Sequence, residues 1–220
     1  TLVIQSLSAQ DHWETAIFAY DEWRYVVPNS EPEASWNSIS FDDDEWSQGQ
    51  GGFGYADGDD GTIISPTISV YFRKIFTITD LSKLSSAVLS ADYDDGFIAY
   101  LNGHEIGRSY NLSEPGTFVG FDQTTSFDHE ASLYSGGLPE SILLDSLFLD
   151  SLLVNGDNVL AIQVHNVGIS SSDLSGNFYL TFGISDDSQF YSSPPSWFQE
   201  PVTFNESNLP IGEITSGTFG

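Results

Sequence analysis

Residues 92–104 read DYDDGFIAYLNGH. The stretch opens on an acidic turn and runs into Phe97, Ala99 and Leu101 alternating with Ile98 and Tyr100. It then reaches Asn102-Gly103, and the chain returns through Glu105-Ile106-Gly107-Arg108. Alternation of this kind is the pattern of a strand with two distinct faces. Asn-Gly between two such runs predicts a two-residue hairpin turn, because both central residues must take positive φ. The aspartates just ahead of the strand gather carboxylates on one loop at one end of a sheet.

Other segments repeat the pattern. SVYFRKIFTI (69–78), SAVLSADY (86–93), NVLAIQVHNV (158–167) and NFYLTFGI (177–184) read as strands separated by Gly, Asn and Asp. In 158–167, Val159, Ala161, Gln163 and His165 share one face, and Leu160, Ile162, Val164 and Asn166 the other. The best helical segment, SILLDSLFLDSLL (141–153), is too continuously apolar for a clean amphipathic face, and reads as a short helical turn or a strand-bounded loop. Short strands at this spacing predict an all-β protein, an antiparallel sandwich. Residues 28–66 are poor in aliphatics and read as long ordered loops anchored by Trp36, Phe41, Trp46, Phe53 and Tyr55. The Ser-, Pro- and Asp-rich segment 186–220 reads as an extended linker or tail. The expected organisation is one sandwich over 1–185 followed by that tail.

Composition narrows the function. The chain has 220 residues, 32 acidic against 5 basic, for a net charge of −27. From 109 onward there is no Lys or Arg at all. Such a surface repels phosphate backbones and anionic lipid, so nucleic acid is not an expected partner. With no 18-residue apolar run, membrane insertion is not expected either. There is no Cys, which excludes a disulfide framework, zinc thiolate sites and thiol catalysis. An acidic, cysteine-free β-protein that opens at Thr1 on a strand-like TLVIQSL fits a processed extracellular or cell-surface product.

ADGDDG (56–61) offers Asp57, Asp59 and Asp60 between glycines, and DYDDG (92–96) offers Asp92, Asp94 and Asp95. Hard cations take six to eight oxygens, and Asp loops punctuated by Gly can wrap one, so calcium is the expected cofactor. The bland alternatives are solvated turns in which Asp bonds its own backbone, with Gly96 supplying a positive φ. SSSD (170–173) is a third oxygen-rich loop. The histidines show no metal-ligand spacing, and there is no G-x-S-x-G elbow or phosphate loop, so no catalytic residue is named and the chain is not expected to be an enzyme. Sugar recognition needs aromatic faces beside polar groups. Trp36, Trp46, Tyr55, Arg73, His104 and His165 are the candidates, set against the plainer reading of each as a core or loop anchor.

The blocks WNSISFDDDEW (36–46), GGFGYADGDDGT (51–62), SVYFRKIFTI (69–78), DYDDGFIAYLNGHEIGR (92–108) and NVLAIQVHN (158–166) occur in an order that resembles the galactose-binding-domain-like and PA14-like jelly-roll modules of bacterial secreted proteins, of the type found with CotH-like and lamin-tail domains. The resemblance spans roughly residues 30–185. It implies a jelly-roll β-sandwich and a non-catalytic, calcium-stabilised accessory module whose partner is a glycan. The competing expectation is a structural subunit of an adhesin or filament. There, Thr1–Leu7 or the tail near Val202–Phe204 would pair with the sheet edge of a neighbouring extracellular subunit.

Overall fold

The computed structural model describes residues 12–56 and 60–201. The chain is an all-β sandwich. Its strands are β1 (His12–Ile17), β2 (Glu22–Val26), β3 (Ser47–Gln50), β4 (Phe53–Tyr55), β5 (Thr62–Ile63), β6 (Ser69–Ile78), β7 (Leu84–Asp94), β8 (Gly96–Leu101), β9 (His104–Arg108), β10 (Glu140–Asp145), β11 (Gly156–His165) and β12 (Leu174–Ile184). An α-helix, α1 (Ser146–Leu152), lies between β10 and β11. One sheet has the order β10-β7-β12-β4-β5, with β1 also on β12; the other has the order β3-β2-β6-β11-β8-β9. All pairs are antiparallel except β4 with β5, which is parallel.

The two sheets face each other across an aromatic and aliphatic core. Phe53 and Phe72 stack at 5.1 Å, Phe72 meets Phe178 at 5.6 Å, and Phe97 meets Phe178 at 5.3 Å. From β11 this core takes Leu160, Ile162 and Val164. The opposite face of β11 is buried too, because Val159 and Ala161 pack with Tyr71 beneath Trp36. The segment before β3 lies on the outer face of that sheet: Trp36 packs on Tyr71 at 4.8 Å and on Tyr100 at 5.5 Å. Arg73, buried in β6, pins the same segment. Its Nη1 donates to Asp43 at 2.8 Å, its Nη2 to the Ser38 carbonyl at 3.0 Å, and its guanidinium lies 5.0 Å from the Phe41 ring. Burying both faces of a sheet under a loop explains why β11 reads as a nearly continuous apolar run.

The hairpin forms where Asn-Gly predicts it. Asn102 has φ 50° and Gly103 φ 88°, and Leu101 pairs with His104. The Asn102 side chain donates to the Leu152 carbonyl and to Asn158 Oδ1, each at 2.8 Å, and accepts from the Val159 amide at 2.9 Å. Three expectations need correction. Residues 47–63 are not wholly loop, since Phe53 and Tyr55 are core residues of β4. The helical turn expected in 141–153 forms as α1, but residues 141–145 belong to β10, and the Asp145 carboxylate accepts from the Phe148 amide at the helix start. Gly96 does not take a positive φ; it is there for space, since a Cβ would lie 2.6 Å from Thr125 Cγ2 and 2.9 Å from Ser109 Oγ.

Beyond β12 the chain lies back along β1. Glu14 Oε2 accepts the amides of Phe190 and Tyr191, each at 2.8 Å. Thr15 bridges to Ser192, and Trp13 meets Phe198 at 5.4 Å. Residues 1–11 and 202–220, which hold Thr1–Leu7 and Val202–Phe204, lie outside the described residues. Among the described residues no helix is long and apolar enough to cross a membrane.

Candidate metal centre

The acidic turn between β7 and β8 sits at one end of the sandwich. Alternation along β7 puts Asp92 and Asp94 on one side and Tyr93 on the other, and all three are buried. Asp92 and Asp95 of DYDDG serve the backbone. Asp92 Oδ1 accepts from the Ser132 amide at 2.7 Å and, with Oδ2, from the Leu133 amide at 3.2 Å. Asp95 accepts from the His129 amide at 2.8 Å through Oδ1 and from the Val167 amide at 2.7 Å through Oδ2. These bonds satisfy loop amides that would otherwise lose water without a replacement. They also tie both the long segment after β9 and the loop after β11 to the turn. The His129 ring stacks on Tyr93 at 4.2 Å, with its Nδ1 donating to the Tyr93 carbonyl at 3.0 Å.

The third aspartate has a different setting. Carboxylate oxygens of Asp94, Glu130 and Asp173 lie within 4.8 Å of one another. Asp173 ends the Ser-rich loop after β11. Its carbonyl and the Tyr55 hydroxyl both accept from Asn166 Nδ2, at 3.0 and 2.9 Å, so one buried amide sets the position of the loop. Asp94, Asp95, Asp128, Glu130 and Asp173 line a cleft of about 360 Å3 with Ser170, Ser171, Ser172, Val167 and Gly168.

Electrostatics mark the same place. Burial raises the Asp95 carboxyl above its ordinary range, the two amide bonds pull it down, and Asp128 and Asp173 push it up again. The Tyr55 phenol is raised by burial, opposed by its bond from Asn166, and raised further by Asp173, Asp94 and Asp95. Like charges crowded into a partly desolvated site repel strongly, and a divalent cation relieves that repulsion. Three carboxylates of graded exposure with serine hydroxyls alongside are the donor chemistry of a hard cation.

The candidates read from the sequence separate into distinct regions. Asp92, Asp94 and Asp95 meet at the acidic end, with Tyr55 beside them and His165 beneath. Asp57 and Asp59 lie outside the described residues, and Asp60 lines a different cleft, beside Tyr20 and Tyr179. Trp36, Trp46 and Arg73 belong to the loop packing over the outer sheet. His104 is exposed at the opposite end of β8. Trp36, Tyr55, Arg73 and His165 are all buried, which leaves the half-buried Trp46 and exposed His104 as the ones a ligand reaches without rearrangement. Burial draws the His165 imidazole down to about 4. Its Nδ1 donates to the Gln123 carbonyl at 2.8 Å.

Glu130 and Asp128 are absent from the sequence-derived set. The run Asp128-His129-Glu130 was the available signal, but it lies in a long irregular segment whose path no periodicity reveals. The loop 170–173 was legible only as oxygen-rich.

No protein-family model matches the chain, and no curated protein does. Solved structures similar to it include a calcium-binding mutant of β-glucuronidase 2 from Bacteroides uniformis, at 16% identity and TM-score 0.45, covering 78% of this chain and 18% of that one. A glycosyl hydrolase family 2 member from Bacteroides cellulosilyticus gives 14% identity and TM-score 0.44, over 76% of this chain and 20% of the other. A β-glycosidase from Bacteroides vulgatus gives 18% and 0.42, over 76% and 20%. The chain spans about one-fifth of the length of each of these proteins.

Proposed function

We propose that this chain is a non-catalytic, calcium-stabilised accessory module of galactose-binding-like type, belonging to a secreted or cell-surface protein and contacting a glycan. The observation that carries the reading is the convergence of Asp94, Glu130 and Asp173 within 4.8 Å, on loops that Asp95 and Asn166 hold in place. Calcium suits the mixture of carboxylates and hydroxyls on irregular loops, whereas magnesium demands stricter octahedral geometry. A cation there neutralises repulsion and clamps three segments that are far apart in sequence. That is a stabilising role and needs no reacting group.

Thermal unfolding in millimolar calcium against chelator tests it. A ligand that binds only the native state, at a hundred times its dissociation constant, adds about 2.7 kcal/mol, so Tm should rise by several degrees. Asp173→Asn or Asp94→Asn should abolish most of the rise. Superimposed curves at matched ionic strength would remove the cation from the reading. Hydrolysis of a glycoside by the isolated chain, lost on changing one carboxylate, would overturn the non-catalytic part.

The second reading, a structural subunit, is favoured by one observation. β10 is the outer strand of its sheet, and it carries the half-exposed Leu143 close in sequence to the exposed Leu147. Such an edge can accept a neighbour's strand. Sedimentation and electron microscopy across a concentration series distinguish this reading, which requires polymers, from the first.

A further inference from the structure

We propose that the cleft beside Tyr20 and Tyr179 binds one ring of an uncharged pyranose. The inference rests on the glycan-binding reading and places the contact away from both the acidic end and the loop over the outer sheet. The cleft arises from a gap in strand pairing. Along one edge of β12, β4 pairs only as far as Gly176 and β1 begins only at Leu180. Asn177 and Tyr179 occupy the interval, on the outward face of the strand, while Phe178 between them is buried in the core. A volume of about 370 Å3 opens there, lined by Tyr20, Gln50, Asp60, Asn177 and Tyr179 with Gly51 and Gly61.

Its walls are held in place. Tyr20 projects from the turn between β1 and β2, where the Asp21 amide donates to the Phe18 carbonyl at 3.0 Å and the Phe18 amide to Asp21 Oδ2 at 3.0 Å. The Gly51 amide donates to the Asp21 carbonyl at 2.8 Å. Position 51 admits no side chain, since a Cβ would lie 1.7 Å from the Ala19 carbonyl oxygen. The turn therefore sits directly on backbone, and Tyr20 stays 58% exposed at its tip. Its ring is 5.1 Å from Phe18, Phe18 is 6.3 Å from Tyr179, and Tyr179 is 4.9 Å from Trp197. Of these rings Tyr20 and Tyr179 line the cleft, and an aromatic ring of this kind can stack on the C–H face of a sugar. The amides of Gln50 and Asn177 each supply a donor and an acceptor for neighbouring hydroxyls, and Asp60 supplies a further acceptor. With a net charge of −27, the protein disfavours uronate or sulfated sugars, which leaves the uncharged ones.

The test is affinity electrophoresis of the whole chain through gels containing galactan, mannan or a β-glucan, with alginate as the charged comparison. At least one neutral polymer should retard the protein. Tyr20→Ala and Asn177→Ala should each weaken binding about tenfold or more, as expected for an anchor in a small site. Tyr134→Ala, at an exposed tyrosine elsewhere, should not. Melting curves of the variants should overlay that of the parent chain, because Tyr20 and Asn177 lie outside the core. If both variants bind as well as the parent, the cleft is the wrong place while the glycan reading stands. Retardation by alginate alone overturns the uncharged class. Retardation by none of the polymers overturns the cleft and the glycan reading together.

Discussion

Asp95 and Val167 join the two loops that end β7 and β11: the carboxylate Oδ2 accepts the Val167 amide at 2.7 Å while Oδ1 takes the His129 amide. One buried side chain thus fixes three segments of the acidic end. Asp95→Ala should leave two partly buried amides without partners and cost about 2–6 kcal/mol, at about 1–3 kcal/mol for each orphaned group. Urea unfolding measures it. A loss below roughly 0.5 kcal/mol would mean that the loops hold together without this residue.

Acid should destabilise the fold through His165. Its imidazole is buried and titrates at about 4 in the folded state, below its ordinary 6.5. A depressed base contributes stability that is present above pH 6.5 and is lost as the pH falls toward 4, because the unfolded chain takes up the proton first. The full loss approaches roughly 3 kcal/mol. Stability measured from pH 7 to 4 should show this slope in the parent chain and lose it in His165→Gln, whatever the variant's absolute stability.

At the other end of β8, Gly103→Val should cost about 1–3 kcal/mol by forcing a β-branched residue to φ 88°. Asn102→Gly keeps the turn but removes three hydrogen bonds to Leu152, Asn158 and Val159. It should cost a comparable amount, about 1–3 kcal/mol. Equilibrium unfolding of both variants separates strain from lost bonding, since only the second leaves the backbone unstrained.

The loop over the outer sheet depends on Arg73. Arg73→Leu removes the ion pair to Asp43 and the bond to the Ser38 carbonyl. Breaking a buried pair on one side costs about 3–5 kcal/mol. Much of that should appear as local opening, so limited proteolysis should cut within residues 36–46 faster in the variant while the sandwich persists. An unchanged digestion pattern would show that Trp36 alone holds the loop.

The strands were legible because β6, β8, β11 and β12 are apolar runs bounded by Gly, Asn and Asp, alternating or, in β11, nearly continuous, and the hairpin because Asn102-Gly103 dictates its own turn. β1 and β2 were harder to see. HWETAI buries Glu14 and Thr15 along with its apolar residues, so its polarity conceals its depth. Glu14 is buried because it receives the amides of Phe190 and Tyr191, partners more than 170 positions away, which local pattern cannot reveal. The metal candidates divide for a similar reason. Asp92, Asp94 and Asp95 look equivalent in DYDDG, yet Asp92 and Asp95 receive amides from 129, 132, 133 and 167, and a carboxylate oxygen of Asp94 lies within 4.8 Å of ones of Glu130 and Asp173. Which groups surround each carboxylate depends on the paths of two loops.

The pairing order carries a consequence for how the chain is made. β12 is the common partner of β1, β4 and β7, and β11 is the common partner of β6 and β8. Neither sheet is joined until residues beyond 156 have left the ribosome. Until then β1, β4, β6, β7 and β8 wait with open edges, and closing them requires contacts between distant positions, the slow kind. Of these strands β1 and β7 carry acidic residues and β4, β6 and β8 carry none, so repulsion between neighbouring chains in that interval comes from the net charge of −27 on the chain as a whole. A high net charge therefore suits a nascent chain in which β11 and β12, the last strands among the described residues, complete both sheets.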